Sequence, residues 1–373
     1  MSSGGFPIQM AGIAALFDEV ELVVVRGETK AGGIPLPSYA SVTALRPPRG
    51  HDFRRKLSVA ARLPYYVRTL AAHFRRADVV HVPLPGDIPL IGLVLALLMR
   101  KRVIARYGGS WDTNTQTTVM NRLTRALMRR VAGGRNVMLA TGDGTEPPAP
   151  RMAWIFSTAL TRAELDRTPA CVDRGVSMPP RLVFIGRLSP EKGVATLLRS
   201  LARLAGAGVA PLPHVTIIGD GAERGALAAL ARELGCEHAV IFAGQLAREP
   251  LSAALARADL CVQPSLTEGF SKAWLDAMAH GLPVIASEVG AARAVIGGDG
   301  ERGWLVPPGD EAALAATLEH VLTAAIDWPA LRRRCRAYAE RRTLEAWTQR
   351  IGEQCARQWA WTLVNGRMEA CER

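Results

Sequence analysis

Two acidic residues, Glu268 and Asp276, stand eight positions apart on either side of a glycine turn. The first acid follows an apolar run at 260–265 that is typical of a strand, and the second falls in a segment that is typical of a helix. A glycine turn between a strand and a helix leaves backbone N–H groups unpaired, and such groups suit a phosphate. Asp276 has apolar neighbours, where a carboxylate is costly unless something pairs with it. Two solvated acids at this spacing are also common, so other motifs must decide between the two interpretations.

A basic motif follows a second strand-like run. Four consecutive apolar residues at 182–185 predict a buried parallel strand. A serine and a proline at 189–190 predict a helix start, which would place Lys192 in the first turn, where a cation is unfavourable unless an anion is also present. We therefore expect Arg187 and Lys192 to converge on one diphosphate rather than to be two solvated cations. Glu191 is expected to be an ordinary first-turn acid that complements the helix dipole.

A third strand-like run at 214–219 ends in a turn that contains Gly219 and Gly221. These glycines would let the chain approach a base or a ribose closely, although one such turn is equally typical of any strand-to-helix connection. Three turns of this kind, at 186–193, 219–221 and 268–272, all follow strands. Because ligands of open α/β sheets bind outside the carboxyl ends of the strands, the three turns together predict a nucleotide site.

From about Arg181 to Leu318 the sequence resembles glycosyltransferase family 4, the retaining nucleotide-sugar transferases of the GT-B fold. The signature of that family is a Glu, seven residues and a second Glu, and here the second acid is Asp276. The resemblance implies that Arg187 and Lys192 bind the donor diphosphate, and that Glu268 holds hydroxyls of the donor sugar. The residues expected to act in catalysis are Glu268, Arg187 and Lys192. Those expected to bind the donor are Gly186, Gly219, Gly221, Gly269, Phe270, Ser271 and Asp276, the last at the ribose.

The resemblance also implies the chemistry. The leaving phosphate would help to deprotonate the acceptor on the same face of the sugar, while cations and backbone amides stabilise the developing charge, with no metal and no cofactor besides the donor. An Asp is shorter than a Glu by about 1.5 Å, so the ribose contact is expected to be weaker or to pass through water. Many relatives have a His at the end of a first-domain strand. Here Arg106 stands at that place, and whether Arg106 or Asp112 substitutes is open.

Strand and helix patterns alternate along most of the chain, which predicts an α/β protein with two Rossmann-like βα domains facing each other across a cleft. We expect an acceptor-side domain at 1–168, a nucleotide-sugar domain at 169–345 and a last helix, within 346–373, that returns to the first domain. The polar stretch 166–180 is the expected linker. The turn-like Gly4 and Gly5 follow only three residues, so we expect either a late start that omits the first strand, which we favour, or a sheet that is built without that strand. Predicted strands lie at 20–26, 79–84, 103–107, 136–140, 182–187, 214–219, 240–244, 260–264, 283–287 and 303–306, and the predicted first-half helices at 55–73, 87–98 and 117–131.

Composition supports a folded protein without a metal. The chain has 373 residues, of which 49% are hydrophobic, and this excludes general disorder. Its six cysteines include no Cys-x-x-Cys pair, and its seven histidines show no metal-ligand spacing. We interpret the cysteines as reduced thiols of a cytoplasmic protein. The apolar run at 88–99 is too short for a membrane span, which needs about 20 residues, so we expect a core helix, with insertion beside a membrane as the alternative.

Positive charge is concentrated in the first half. Residues 1–168 hold 23 basic and 12 acidic residues. Four arginines at helical spacing predict one basic stripe: Arg122, Arg125, Arg129 and Arg130. Such a surface fits an anionic membrane, an acidic glycan or nucleic acid, although a high arginine content can also be compositional. No motif typical of nucleic-acid binding is present, and relatives with lipid-linked acceptors favour a peripheral position at the inner membrane face.

The resulting hypothesis is a retaining glycosyltransferase that moves a sugar from a UDP- or GDP-sugar to a glycan or lipid-linked acceptor in cell-surface polysaccharide or glycolipid synthesis. The alternative is a non-catalytic or degenerate GT-B protein that binds a glycan or a nucleotide. A nucleotide-sugar epimerase or a glycan phosphorylase is disfavoured, because the former lacks the Arg187–Lys192 pattern and the latter is much longer.

Overall fold

The computed structural model describes residues 6–27, 36, 38–50, 52–111 and 117–370. The chain forms two compact units. The first unit comprises the chain up to Ala159 together with the chain from Leu344 onward, and the second unit comprises Leu160–Thr343. Gly4, Gly5 and Asp112 lie outside the described residues, so the expectations that concern them stay predictions.

The N-terminal part of the first unit alternates helices and strands. Its elements are α1 (Phe6–Ala14), β1 (Glu21–Val25), β2 (Ser41–Leu45), α2 (Asp52–Ala61), α3 (Leu63–Arg76), β3 (Val79–Leu84), α4 (Asp87–Leu98), β4 (Arg102–Tyr107), α5 (Val119–Val131), β5 (Asn136–Thr141) and β6 (Met152–Ile155). Strands β3 to β6 form a parallel sheet in sequential order, and β1 pairs with β2 in a separate parallel pair. The four strands predicted in this half are confirmed to within one residue at each end. Strands β2 and β6 were not predicted, because β2 is largely exposed and β6 is only four residues long.

The helix predicted over 55–73 is instead two helices, α2 and α3. Arg62 separates them, and Pro64 stands in the first turn of α3. Proline has no N–H to donate and disfavours the helical conformation of the residue before it, so a helix tends to end there and a new one to begin.

Alternation along β4 separates the two faces of the first sheet. Val103, Ala105 and Tyr107 belong to one buried apolar cluster. The helices α3, α4 and α5 contribute to the same cluster through Leu70, Leu93 and Met128. Ile104 and Arg106 therefore point to the opposite face, since successive side chains of a strand alternate.

The apolar run at 88–99 forms α4. Ile88, Leu93 and Ala96 are buried, whereas Val94 and Leu98 are exposed. This confirms the prediction of a core helix. Among the helices that the structure describes, none has both the length and the apolar character that a membrane crossing requires.

The prediction of one basic stripe on α5 is wrong. Arg125 is only 2% exposed and donates from Nη1 to the backbone oxygen of Trp111 at 2.6 Å. The guanidinium of Arg129 lies over the Trp111 ring, 5.1 Å from its centroid. Arg122 and Arg130 are exposed, and exposed Val119 and Leu123 accompany them. The outer surface of α5 is therefore a mixture of apolar and basic side chains, because Arg125 is buried against Trp111.

The C-terminal segment of the first unit also differs from its prediction. The helix α14 (Leu344–Trp359) ends before residue 365, and an antiparallel hairpin follows it, formed by β13 (Trp361–Val364) and β14 (Arg367–Ala370). Asn365 and Gly366, both with positive φ, make the turn between these strands. An Asn-Gly pair between alternating strands is a strong hairpin signal, and the prediction of a helix within 346–373 overlooked it.

The second unit is a doubly wound parallel sheet. Its six strands are β7 (Arg181–Ile185), β8 (His214–Ile218), β9 (Val240–Gly244), β10 (Leu260–Gln263), β11 (Val284–Ser287) and β12 (Gly303–Val306). The helices are α6 (Arg162–Arg167), α7 (Val194–Gly206), α8 (Arg224–Glu233), α9 (Arg248–Arg257), α10 (Lys272–Ala279), α11 (Ala292–Ile296), α12 (Glu311–Thr323) and α13 (Trp328–Glu340). The sheet order is β12-β11-β10-β7-β8-β9, and all the pairings are parallel. The six predicted strands are confirmed to within two residues at each end.

Buried Asp259 ties the predicted linker to the base of the second sheet. The backbone N–H groups of Ser177 and Arg181 donate to its Oδ2 at 3.2 and 3.0 Å, and Arg174 donates to its Oδ1 at 3.0 Å. No helix or strand occupies 168–180. The chain passes from the first unit to the second at Ala159–Leu160, so this stretch lies within the second unit.

Candidate donor-binding site

The predicted site residues gather at the carboxyl ends of the strands of the second unit. Strands β7 and β10 are neighbours at the centre of the sheet, although three strands run in sequence from β7 to β9 before β10. The winding direction therefore reverses between β7 and β10. In open α/β sheets, ligands bind in the crevice at such a reversal.

The loops that follow β7 and β10 meet through an ion pair between Lys192 and Glu268. Nζ of Lys192 donates to Oε2 of Glu268, and the two side chains are 19% and 16% exposed. The backbone also joins the loops, since the N–H of Leu266 donates to the backbone oxygen of Glu191 at 2.8 Å. Two predicted site residues thus lie together across the point of reversal.

The local structure around Lys192 differs from the predicted helix start. Residues Pro190–Lys192 form a single 3-10 turn, and α7 begins only at Val194, after Gly193. The Ser189 hydroxyl makes no capping hydrogen bond and instead donates to Oε1 of Glu191 at 2.7 Å. Lys192 therefore stands just before the helix rather than in its first turn.

Arg187 is exposed and contacts Glu191 rather than Lys192. Its Nη2 donates to Oε1 of Glu191 at 3.3 Å, while 72% of the arginine side chain remains exposed. The hydrogen bond from Ser189 is the largest cause that lowers the pKa of Glu191, and the charges of Arg187 and Lys192 lower it further. Arg187 is thus paired with Glu191, a contact that the expected place of Glu191 in a first turn did not reveal.

Gly219 and Gly221 are required by contact between loops. Gly219 has a φ of +136°, and a Cβ on it would overlap the backbone oxygen of Gly186. A Cβ on Gly221 would overlap the backbone oxygen of Leu188. The close approach that the sequence indicated is therefore already made by the neighbouring loop, and a further approach to a base or ribose stays a prediction.

Three predicted residues, Gly269, Phe270 and Ser271, form the entry to α10. Phe270 and Ser271 are buried, and the Phe270 ring packs against Trp274. The N–H of Gly269 donates to Oε1 of Glu268 at 3.2 Å. Within the described residues, the backbone N–H groups of Phe270 and Ser271 donate to no acceptor, so they are available at the helix start, where the dipole favours an anion.

Asp276 is paired with Arg248, a residue that the sequence analysis did not identify. Nη1 of Arg248 donates to Oδ1 of Asp276 at 2.9 Å, and the Asp276 side chain is 17% exposed. The pairing that its apolar neighbours require is thus supplied from α9. The sequence showed only that Asp276 needs a partner, because no local pattern identifies Arg248 as that partner. The structure joins Asp276 to Arg248, and no hydrogen bond or ion pair among the described residues joins it to Glu268.

Arg106 lies inside the first unit. The residue is 7% exposed, and its guanidinium donates from Nη2 to Oε1 of Gln9 at 3.0 Å and lies 5.5 Å from the ring centroid of Trp347. Burial lowers the pKa of Arg106 to about 10, so it remains charged at neutral pH. Burial, and then the charge of Arg106, lower the pKa of nearby His81 to about 3. Arg106 is accordingly a buried cation of the sheet face opposite α4.

The described residues contain no group of three His, Cys, Asp or Glu side chains that could hold a metal ion. The five cysteines within those residues carry free thiols. Burial raises the pKa of Cys261 to about 12, so that its thiol stays protonated beneath the site.

A family comparison agrees with this geometry. Residues 179–324 match the family model described as Glycosyl transferases group 1. Within this segment the chain is similar to the group 1 glycosyltransferases. The segment includes all the residues predicted for catalysis and donor binding, and it nearly coincides with the stretch from Arg181 to Leu318 on which the resemblance rests. Assignment to family 4 stays a prediction.

Curated relatives match the same half of the chain. The glycogen synthase of Mycobacterium tuberculosis is 37% identical over 178 residues, which is 48% of this chain and 41% of the relative. The MMP alpha-(1->4)-mannosyltransferase of Mycolicibacterium hassiacum is 38% identical over 197 residues, which is 51% of this chain and 46% of the relative. The chain thus spans less than half the length of these curated relatives.

Solved structures match nearly the whole chain. Sucrose-phosphate synthase from Thermosynechococcus elongatus superposes with a TM-score of 0.70 at 21% identity, covering 94% of this chain and 92% of the other. Anabaena HepE in complex with UDP-glucose gives a TM-score of 0.65 at 18% identity, covering 91% of this chain and 100% of the other. These likenesses and the parallel α/β sheets confirm the predicted fold class, GT-B.

Proposed function

We propose that this protein is a retaining glycosyltransferase that moves a sugar from a UDP- or GDP-sugar to a glycan or lipid-linked acceptor. The observation that carries the proposal is the meeting of Lys192 and Glu268 across the reversal between β7 and β10. A cation for the diphosphate and a carboxylate for the sugar hydroxyls are thereby held on adjacent loops. The similarity to the group 1 glycosyltransferases and the UDP-glucose complex of a protein with the same fold support this reading.

Each side chain has a definite part in the reaction. The bond between the anomeric carbon and the diphosphate oxygen breaks, and negative charge develops on the diphosphate. Lys192, Arg187 and the free N–H groups of Phe270 and Ser271 stabilise that charge. Glu268 accepts hydrogen bonds from donor hydroxyls, and the acceptor oxygen forms the new bond on the same face while its proton passes to the leaving phosphate. The protein needs neither a nucleophile nor a cofactor or metal for these steps.

The first unit supplies the acceptor side. It holds 25 basic and 14 acidic residues, which makes it strongly cationic, whereas the second unit is almost neutral with 21 and 20. Exposed apolar side chains accompany the basic ones on α2, with Phe53 and Leu57 beside Arg54 and Lys56, as they do on α5. An anionic membrane attracts such a surface. A lipid-linked acceptor and a cytoplasmic, peripheral position at the inner membrane face, in polysaccharide or glycolipid synthesis, follow from it.

A transfer assay across UDP- and GDP-sugars, with hydrolysis followed in parallel, tests the proposal. Arg187→Ala and Lys192→Ala should each lower transfer by about 100-fold, the scale for losing one charge-stabilising contact, while the fold survives. Arg257→Gln, on the exposed face of α9, is the matched control and should leave transfer unchanged. Activity within a few-fold of wild type in both alanine variants would remove the diphosphate role. Nucleotide binding without transfer of any sugar would favour the degenerate, binding-only alternative.

A further inference from the structure

Arg248, the first residue of α9, bridges two acids that lie far apart in sequence. Nη1 donates to Oδ1 of Asp276 at 2.9 Å, while Nε and Nη2 donate to the two carboxylate oxygens of Glu164 at 2.9 and 3.3 Å. The three nitrogens of a guanidinium lie in one plane and are fixed relative to one another, so a clamp on Glu164 also fixes the direction of Nη1. Burial alone would lower the pKa of Arg248, but the charges of Asp276 and Glu164 raise it, so Arg248 stays protonated.

Glu164 is itself held in place. The backbone N–H and the hydroxyl of Thr161 lie 3.0 and 3.2 Å from its Oε2, within the capping box that begins α6. A second tie joins α9 to α10, since Ser252 Oγ lies 2.9 Å from His280 Nε2. The nitrogen that Arg248 presents to α10 is therefore rigidly placed.

Asp276 is left with one free oxygen. Arg248 occupies Oδ1, and no group in the described part of the chain donates to Oδ2. Neighbouring Leu275, Ala277 and Met278 are buried, so the apolar surroundings offer this carboxylate no other partner. A carboxylate that is anchored at one oxygen and open at the other is ready to accept from a ligand hydroxyl.

We propose that Arg248 is a positioning residue of the donor site, which holds Oδ1 of Asp276 so that Oδ2 accepts a hydrogen bond from a ribose hydroxyl of the donor nucleotide. This inference rests on the proposed function. Ordering the carboxylate before binding removes part of the entropy loss that the nucleotide would otherwise meet. It also accounts for an Asp at this position, because the shorter side chain still reaches the guanidinium.

A purely structural ion pair between α9 and α10 is the competing explanation. It predicts that loss of Arg248 lowers the affinity of every nucleotide by a similar factor, or lowers stability alone. Positioning of Asp276 predicts instead that the affinity loss is confined to ligands that carry the ribose hydroxyls. The discrimination between ribonucleotides and deoxyribonucleotides separates the two explanations.

The experiment is calorimetric titration of the full-length protein with UDP and GDP and with their 2′-deoxy and 3′-deoxy analogues. Wild type should bind a ribonucleotide at least about tenfold more tightly than one of its deoxy analogues, the scale for a hydrogen bond to a charged group. In Arg248→Gln that ratio should fall to within about threefold, as in Asp276→Ala, while the affinity for the deoxy analogue changes little. Arg248→Lys should recover part of the ratio, and Glu164→Gln, which weakens the clamp on Arg248, should lower the ratio part of the way. Arg257→Gln is the control on the same helix and should match wild type.

The outcomes are distinguishable. A full ribose preference in Arg248→Gln, or an equal loss for both kinds of nucleotide, overturns the positioning role. Wild type that binds nucleotides without a ribose preference overturns it as well, while leaving the proposed function standing. Wild type that binds no nucleotide overturns the proposed function itself. Should Arg248→Gln unfold, Arg248→Lys and Glu164→Gln carry the test, and a wild-type ratio in Arg248→Lys despite its lost fork contradicts the inference.

Discussion

The ion pair between Lys192 and Glu268 leads to a specific prediction, because it occupies the lysine that is proposed to bind the donor diphosphate. Nζ of Lys192 donates to Oε2 of Glu268, and both side chains are less than 20% exposed. A nucleoside diphosphate bound at Lys192, as proposed, would compete with that carboxylate and be repelled by it. Glu268→Gln keeps the shape of the side chain but removes its charge. We therefore expect this variant to bind UDP or GDP more tightly than wild type while losing most of its sugar transfer.

The expected gain follows from Coulomb's law. A diphosphate oxygen that shares Lys192 with Glu268 lies roughly 5–6 Å from the carboxylate, since each is about 3 Å from Nζ and the N–H directions of an ammonium group diverge. At an effective dielectric constant of about 20, the repulsion is roughly 2–3 kcal/mol. Partial exposure and salt reduce it, which leaves about 1–2 kcal/mol, or a roughly five- to thirtyfold tighter complex. Lys192→Met should act in the opposite direction and weaken binding by roughly 10- to 100-fold, because a hydrogen bond to a charged group is lost.

Calorimetric titration with UDP and GDP at low and moderate salt measures both changes. Glu233→Gln, which removes an exposed acid of α8, is the matched control for net charge and should leave affinity unchanged. In the Lys192→Met background, the change in nucleotide affinity caused by Glu268→Gln should differ from the change in the wild-type background, since the two residues are coupled. The reasoning is refuted if Glu268→Gln binds the nucleoside diphosphate no more tightly than wild type, or if Lys192→Met binds it equally well.

Three further predictions concern other parts of the molecule. The pKa of His81 is about 3 in the folded protein against 6.5 in the unfolded chain, so the unfolded state takes up a proton first and stability falls as pH drops from 6.5 towards 3. The loss in the free energy of unfolding should reach about 2 kcal/mol at pH 5. Denaturant unfolding of His81→Phe should show a weaker dependence of stability on pH, and an unchanged pH dependence would contradict the prediction. Gly219→Ala should lower both thermal stability and nucleotide affinity, because the added Cβ would overlap the neighbouring loop. The control is Gly225→Ala in α8, where a Cβ meets nothing within 4 Å, and it should be neutral or stabilising in thermal melts. Replacing exposed Arg122 and Arg130 by Gln should weaken co-sedimentation with anionic liposomes at low salt, by about 1 kcal/mol per charge, without altering nucleotide affinity. The matched control replaces exposed Arg257 and Arg341 of the second unit by Gln. If wild type binds no liposome, a soluble acceptor is favoured instead.

The sequence alone was sufficient for the strands of the two main sheets that are apolar and continuous. Runs such as 79–84 and 182–185 are long enough for periodicity to identify them, and each ends at a residue that breaks the pattern. Short or exposed strands such as β2 and β6 lack that signal. The hairpin after α14 was identifiable from Asn365 and Gly366, but the surrounding tryptophans fit a helix equally well.

At the site, residue types and spacing identified the loops that carry Arg187, Lys192, Glu268 and Asp276, because loops after parallel strands converge on one edge of the sheet. Local sequence patterns could not predict how their side chains pair. Lys192 meets Glu268, and Asp276 meets Arg248, at sequence separations of 76 and 28 residues.

The same limit explains the misplaced basic stripe. Spacing on a helix tells which arginines share a face, but whether that face is solvated depends on what the rest of the fold places against it. Arg125 turns inward because Trp111 offers it a backbone oxygen and Arg129 an aromatic ring. The sequence determines which loops and faces carry charge through short-range periodicity. Only the tertiary structure decides which charges are paired, because each partner comes from a distant element that packing brings within hydrogen-bonding distance.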